Sequence, residues 1–147
     1  MRILIDGDAC PQKDDILKIA QKYHIDMIVY VDYAHVIESD EYKVKCCTVG
    51  HDHVDMMIIN DILTNDIVIT QDFGLASLAL MKKAKVLHVS GKILTNDNIN
   101  DYLMSRYVSS HLRRGRVRLK GPSQRTNTIK SYFLKQLEEL IKEEFDS

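Results

Sequence analysis

The chain has 147 residues, 45% hydrophobic and 28% charged, with a formal net charge of −1 at pH 7. That length suits one domain with a real core, and the composition is ordinary for a globular protein rather than a disordered or fibrous one. No apolar run approaches the ~20 residues needed to cross a bilayer, and Asp6 and Asp8 interrupt the N-terminal segment too early for a signal peptide, so a cytoplasmic protein is expected.

Arg2-Ile3-Leu4-Ile5 reads as a short buried strand ending at Asp6. Pro11 suits the first turn of a helix, and Ile16, Leu17, Ile19, Ala20 and Tyr23 supply its apolar stripe. Met27 to Val31 is a second strand, 32 to 42 an exposed loop, and Val44 to Val49 a third strand. After Gly50-His51-Asp52-His53, the residues Val54, Met57, Ile58, Ile59, Ile62 and Leu63 make an apolar helix in which at least one of Met56 and Met57 belongs to the core. Ile67 to Thr70 is a fourth strand followed by Asp72, Gly74 to Lys83 a helix, and Lys85 to Val89 a fifth strand; beyond Gly91 the strand pattern stops. A helix is expected over Asn98 to Val108 with Asp97 as its cap, a basic arm near 109–125, and an amphipathic C-terminal helix near 127–145. Strands without polar alternation, alternating with helices, predict a mostly parallel sheet of about five strands covered on both faces. The whole of 1–147 is expected to be one domain.

Parallel sheets gather ligands outside the carboxyl ends of their strands. Three strands deliver aspartate there: Asp6-Gly7-Asp8 after the first, Asp52 and Asp55 after the third, and Asp72 after the fourth. Convergent carboxylates repel unless a proton or a cation intervenes. Hard oxygen donors suit Mg²⁺ or Mn²⁺, and an ion so held can neutralise a phosphodiester and activate water. Against this stands a plainer reading, in which Asp52 and Asp55 are a capping pair. Asp14, Asp15, Asp61 and Asp66 are expected to be solvated, capping or turn residues.

The run Ile5-Asp6-Gly7-Asp8-Ala9-Cys10-Pro11 resembles the D-x-D-A-C-P opening of the bacterial YaiI/YqxD family. Matches continue through Gly50-x-Asp52-x-x-Asp55, Val68-Ile69-Thr70-x-Asp72 with Leu75-Ala76, Asn98-Ile99, Leu112-Arg113-x-Gly115, and Gly121-Pro122 followed by Thr126. The resemblance runs in order from residue 3 to about 133. It implies a relative of PIN and NYN ribonuclease domains: a three-layer α/β/α fold with extra C-terminal helices, aspartates holding Mg²⁺ or Mn²⁺, and RNA as substrate. On that resemblance Asp6, Asp55 and Asp72 fall on the PIN-like acidic positions, Asp8 is a family-specific addition, and Thr70 offers a hydroxyl to a phosphate or a carboxylate; Asp6, Asp8, Asp55 and Asp72 are expected to hold the metal, with Asp52 in second rank. Two departures stand out. Ile129 and Lys130 replace an Asp-Arg pair, and Asp32-Tyr33 occupies a loop that usually carries Asn.

Arg113, Arg114 and Arg116, with Arg118, form the main basic feature and are expected to contact a nucleic-acid backbone, the rival reading being a solvated face or partners for the acidic edge. Aromatic side chains are sparse beside them, Tyr107 being the nearest, which argues against a platform for stacked bases. The cysteines Cys10, Cys46 and Cys47 are odd in number, lack C-x-x-C spacing and are expected to be reduced, with Cys10 packed rather than nucleophilic. His51 and His53 lack the partners of a zinc site. Two rival functions remain: a haloacid-dehalogenase-type phosphatase with Asp6 as nucleophile, and a non-catalytic RNA-binding or regulatory module.

Overall fold

The computed structural model describes residues 1–7, 10, 12–32, 41–47, 51–105 and 126–146, with the side chains of 32, 47, 51–53, 145 and 146 left aside. Four parallel crossings build it. Strands β1 (Arg2–Asp6), β2 (Asp26–Asp32), β3 (Lys43–Cys47), β4 (Ile67–Thr70) and β5 (Lys85–His88) pair in parallel in the order β3-β2-β1-β4-β5, and β6 (Ile93–Leu94) closes the β5 edge antiparallel. The two-residue β6 departs from the sequence expectation, because a strand that short carries no readable alternation.

Strand residues pointing one way join one core and their neighbours the other. Ile3, Ile5, Val29, Ile67, Ile69 and Leu87 pack under helices α1 (Lys13–Lys22) and α5 (Asn127–Asp146). Leu4, Ile28, Tyr30, Val68 and Val86 pack under α2 (His51–Asp61), α3 (Phe73–Met81) and α4, which includes residues 99–105. Two apolar layers on one sheet give the three-layer α/β/α arrangement. In α5 the buried residues Phe133, Leu137, Leu140 and Ile141 follow the i, i+4, i+7, i+8 spacing of a single face. Among the described residues no helix is long and apolar enough to cross a membrane.

Helices α1 and α3 end alike. His24 and Lys83 take positive φ, at 55° and 64°, while Ile25 N–H bonds Ala20 O at 2.8 Å and Ala84 N–H bonds Ala79 O at 3.1 Å. Both ends are Schellman closures built without glycine. Each turns its helix directly into the next strand.

Candidate functional site

Winding from β1 through β2 to β3 moves outward on one side of β1, and β4 and β5 then continue on the other. The reversal falls between β1 and β4, and in open α/β sheets the crevice at that reversal is where ligands bind. The register pairs Ile5 with Ile69, so Asp6 and Thr70 emerge side by side at the carboxyl ends of these two strands. Both lie two residues beyond Leu4 and Val68 and therefore face α2 and α3.

The contacts bear this out. Thr70 Oγ1 donates to Asp6 Oδ2 at 3.2 Å and accepts the N–H of Asp72 at 3.0 Å. Thr70 is fully buried, at 0% exposure, so its hydroxyl joins a carboxylate to the backbone of the next acid. Asp72 is the N-cap of α3: its Oδ1 accepts the N–H groups of Gly74 at 2.8 Å and Leu75 at 3.2 Å. Asp6 and Asp72 are both half-buried.

Gly7 explains how β1 can end here. Its N–H donates to Tyr30 O at 2.8 Å, and a Cβ would meet Val29 Cγ1 at 2.6 Å and Tyr30 O at 2.8 Å. Only glycine fits between Asp6 and Asp8 without moving β2. Asp55 is half-buried in α2, the helix that lies against β1 and β2, with its neighbours Val54 and Ile58 turned into the core. Asp52 falls in the first turn of α2 rather than ahead of it. Asp8, the side chain of Asp52, and Arg113, Arg114 and Arg116 lie outside the described residues, as do the basic arm and the side chains of His51 and His53. Among the described residues no three His, Cys, Asp or Glu side chains are grouped so as to hold a metal ion.

Cys10 is buried at 3% exposure in the α1/α5 core, where its carbonyl accepts Lys13 Nζ at 2.9 Å. It packs, as expected. Met57 leans on the α2/α3 core while Met56 is exposed.

Two aspartates expected to be solvated, capping or turn residues are better tied down than that. Asp66 is 1% exposed and accepts four bonds: Arg2 N–H at 3.0 Å, Arg2 Nε at 3.4 Å, Arg2 Nη2 at 2.7 Å and Leu63 N–H at 2.9 Å. The hydrogen bond from Arg2 to Asp66 holds the guanidinium above its ordinary pKa, against the opposing pull of burial. Arg2 Nη2 also reaches Asp61 O at 2.6 Å. Asp61 Oδ2 receives Lys45 Nζ at 2.6 Å and the Tyr30 hydroxyl at 2.7 Å. Burial pushes the Asp61 carboxyl up, but the bonds from Lys45 and Tyr30 outweigh it and hold the group below the ordinary carboxylate range. Burial, together with Asp61, raises the Tyr30 phenol far above its usual value. Nothing in the spacing of Arg2, Tyr30, Lys45, Asp61 and Asp66 signals this network, whose partners are up to 64 residues apart.

With this geometry in view, the comparisons with known proteins place the chain. The model of the uncharacterised YaiI/YqxD family matches residues 4–143. The chain belongs to the YaiI/YqxD family. A UPF0178 protein of Lachnoclostridium phytofermentans is 43% identical over 145 residues, covering 97% of each chain. Another from Natranaerobius thermophilus is 39% identical over 141 residues, covering 96% of each. One from Clostridium kluyveri is 40% identical over 141 residues, covering 96% of this chain and 93% of its own. No solved structure matches. The family match thus takes in Asp6, Asp55, Thr70 and Asp72.

Proposed function

We propose that the chain is a metal-dependent ribonuclease of PIN-like descent, acting where β1 and β4 end. The observation that carries this reading is the Asp6–Thr70 bond across the two strands at which the winding reverses, with Asp72 two residues beyond. Asp6, Asp8, Asp55 and Asp72 would hold Mg²⁺ or Mn²⁺, with Asp52 in support; their donors are all hard oxygens, the chemistry these ions select. Bound there, the ion would neutralise charge on a phosphodiester and lower the pKa of an attacking water.

The chain's own side chains have distinct tasks. Thr70 orients Asp6 through its hydroxyl. The first N–H groups of α3 orient Asp72 in the same way through one oxygen. Thr70 is therefore a positioning residue rather than a phosphate ligand. Arg113, Arg114 and Arg116 would grip the substrate backbone, since a guanidinium fork matches phosphate oxygens.

Asp6→Asn and Asp72→Asn test the reading, because Asn keeps an acceptor oxygen and caps a helix as well as Asp does. Wild-type protein should gain stability with Mn²⁺, about 2.7 kcal/mol at 100 times the dissociation constant, and cleave a mixed RNA pool only with metal. Both variants should lose the gain while melting normally without metal. No thermal shift at millimolar Mn²⁺ and no cleavage would end the nuclease reading. RNA binding in EDTA without cleavage under any condition would point to the non-catalytic module, and phosphate trapped on Asp6 to the phosphatase.

A further inference from the structure

Beside the acidic edge, three rings from separate elements form one column. Phe73, the first residue of α3, stacks on His88 at the end of β5 with centroids 5.0 Å apart and planes 6° from parallel. It also stacks on Tyr102 of α4 at 5.3 Å and 10°. The sheet register pairs His88 with Thr70, and Phe73 directly follows Asp72 in the chain. The column therefore begins one strand away from Thr70 and two from Asp6. All three residues are half-buried.

Rings buried only to fill a core are free to meet edge to face, and both that arrangement and the offset stack are favoured. Here two successive pairs are near-parallel, and the column is neither fully buried nor remote from the carboxylates. Its ends carry an imidazole and a phenol, groups able to bond the edge of a base as well as stack on its face. His88 is already oriented, its Nδ1 lying 2.8 Å from Ser90 Oγ and accepting the Ser90 N–H at 3.1 Å.

We infer that this column is a subsite for an unpaired nucleobase, which extends the stack at its Tyr102 end while the adjoining phosphodiester lies at the carboxylates. The inference rests on the proposed nuclease reading and adds what that reading lacks: a preference for single-stranded substrate. Aromatic side chains are indeed sparse near the arginines in sequence, but the fold assembles a platform from residues 73, 88 and 102. Stacking of this kind tolerates any base, because every base has a π-face.

The test uses two fluorescent single-stranded RNA probes of equal length, one intact and one abasic at its central nucleotides, titrated in EDTA so that no cleavage intervenes. Wild-type protein should bind the intact probe roughly five- to a hundredfold more tightly, the range for one stacked base. Tyr102→Leu, which keeps an apolar side chain without a ring, should erase the difference, and Tyr102→Phe should keep it. Equal wild-type affinity for the two probes overturns the subsite and needs no variant that folds. Loss of affinity for both probes alike in Tyr102→Leu also overturns it. If neither probe binds wild-type protein, the nucleic-acid reading falls and takes the subsite with it. If the ratio behaves as expected but no metal supports cleavage, the subsite stands and only the nuclease reading fails.

Discussion

The paired strands β1 and β4 have aspartate close to both of their edges, with different donors described at each. Where they begin, Asp66 takes the guanidinium of Arg2, and the neighbouring Asp61 takes the ammonium of Lys45. Where they end, the donors described for Asp6 and Asp72 are a hydroxyl and backbone N–H groups. A carboxylate paired with a partly buried cation joins two elements of the fold. One held by a hydroxyl or by backbone N–H groups has its direction set, which is what the proposed cation site would require. The same residue type thus joins elements of the fold at one edge and, on the reading proposed above, would serve chemistry at the other.

The sharpest way to break this comparison is Asp66→Ala, which strands Arg2 beside a half-closed site. Removing one partner of a buried pair costs about 3–5 kcal/mol, and Arg2, at 25% side-chain exposure, should fall at the lower end. Denaturant midpoints measure it; a loss under about 1 kcal/mol would remove the structural role assigned to this corner. Thr70→Val is the next largest. It preserves shape but leaves the Asp72 N–H without its hydroxyl acceptor, at a cost of about 1–3 kcal/mol. Unlike Asp66→Ala, it should also weaken Mn²⁺ binding, measured by calorimetry; unchanged affinity would reduce Thr70 to a core residue.

The smallest effect is one of pH. The Asp61 carboxyl is held below its ordinary 3.8 in the folded protein, by Lys45 and Tyr30 against the opposing effect of burial. Its contribution is therefore present above the unfolded value and lost as pH falls through the lower folded one. Asp61→Asn should flatten the acid limb of the stability curve below about pH 3.8, by a modest amount because the group is partly exposed and screened. Identical acid limbs in chemical denaturation would show that the carboxylate does not contribute to acid stability.

The parallel core was legible because Ile3-Leu4-Ile5, Met27 to Val31 and Ile67-Val68-Ile69 are apolar on both faces, a pattern only a doubly covered sheet explains. Asp6 and Asp72 could be read from their positions after such runs. The role of Thr70 came only from resemblance, and the sequence could not say that its hydroxyl serves two aspartates at once. Helix ends were misjudged by up to two residues, since His24 and Lys83 close α1 and α3 where glycine would have been the signal. Pairings such as Arg2–Asp66 and the Phe73–His88–Tyr102 column leave no local trace. They are products of which strands become neighbours.

The clip between Arg2 and Asp66 has a consequence beyond the strength of its bonds. Both the main-chain N–H and the side chain of Arg2 end on the residue that immediately precedes β4. Successive side chains of a strand emerge on alternate faces, so sliding β1 by a single residue would exchange the sets represented by Ile3 and Leu4 and carry Asp6 under α1 and α5. By fixing where β1 starts to count, the clip sets the phase of the whole strand. An ion pair a strand's length away thereby determines the side of the sheet on which the acid comes out.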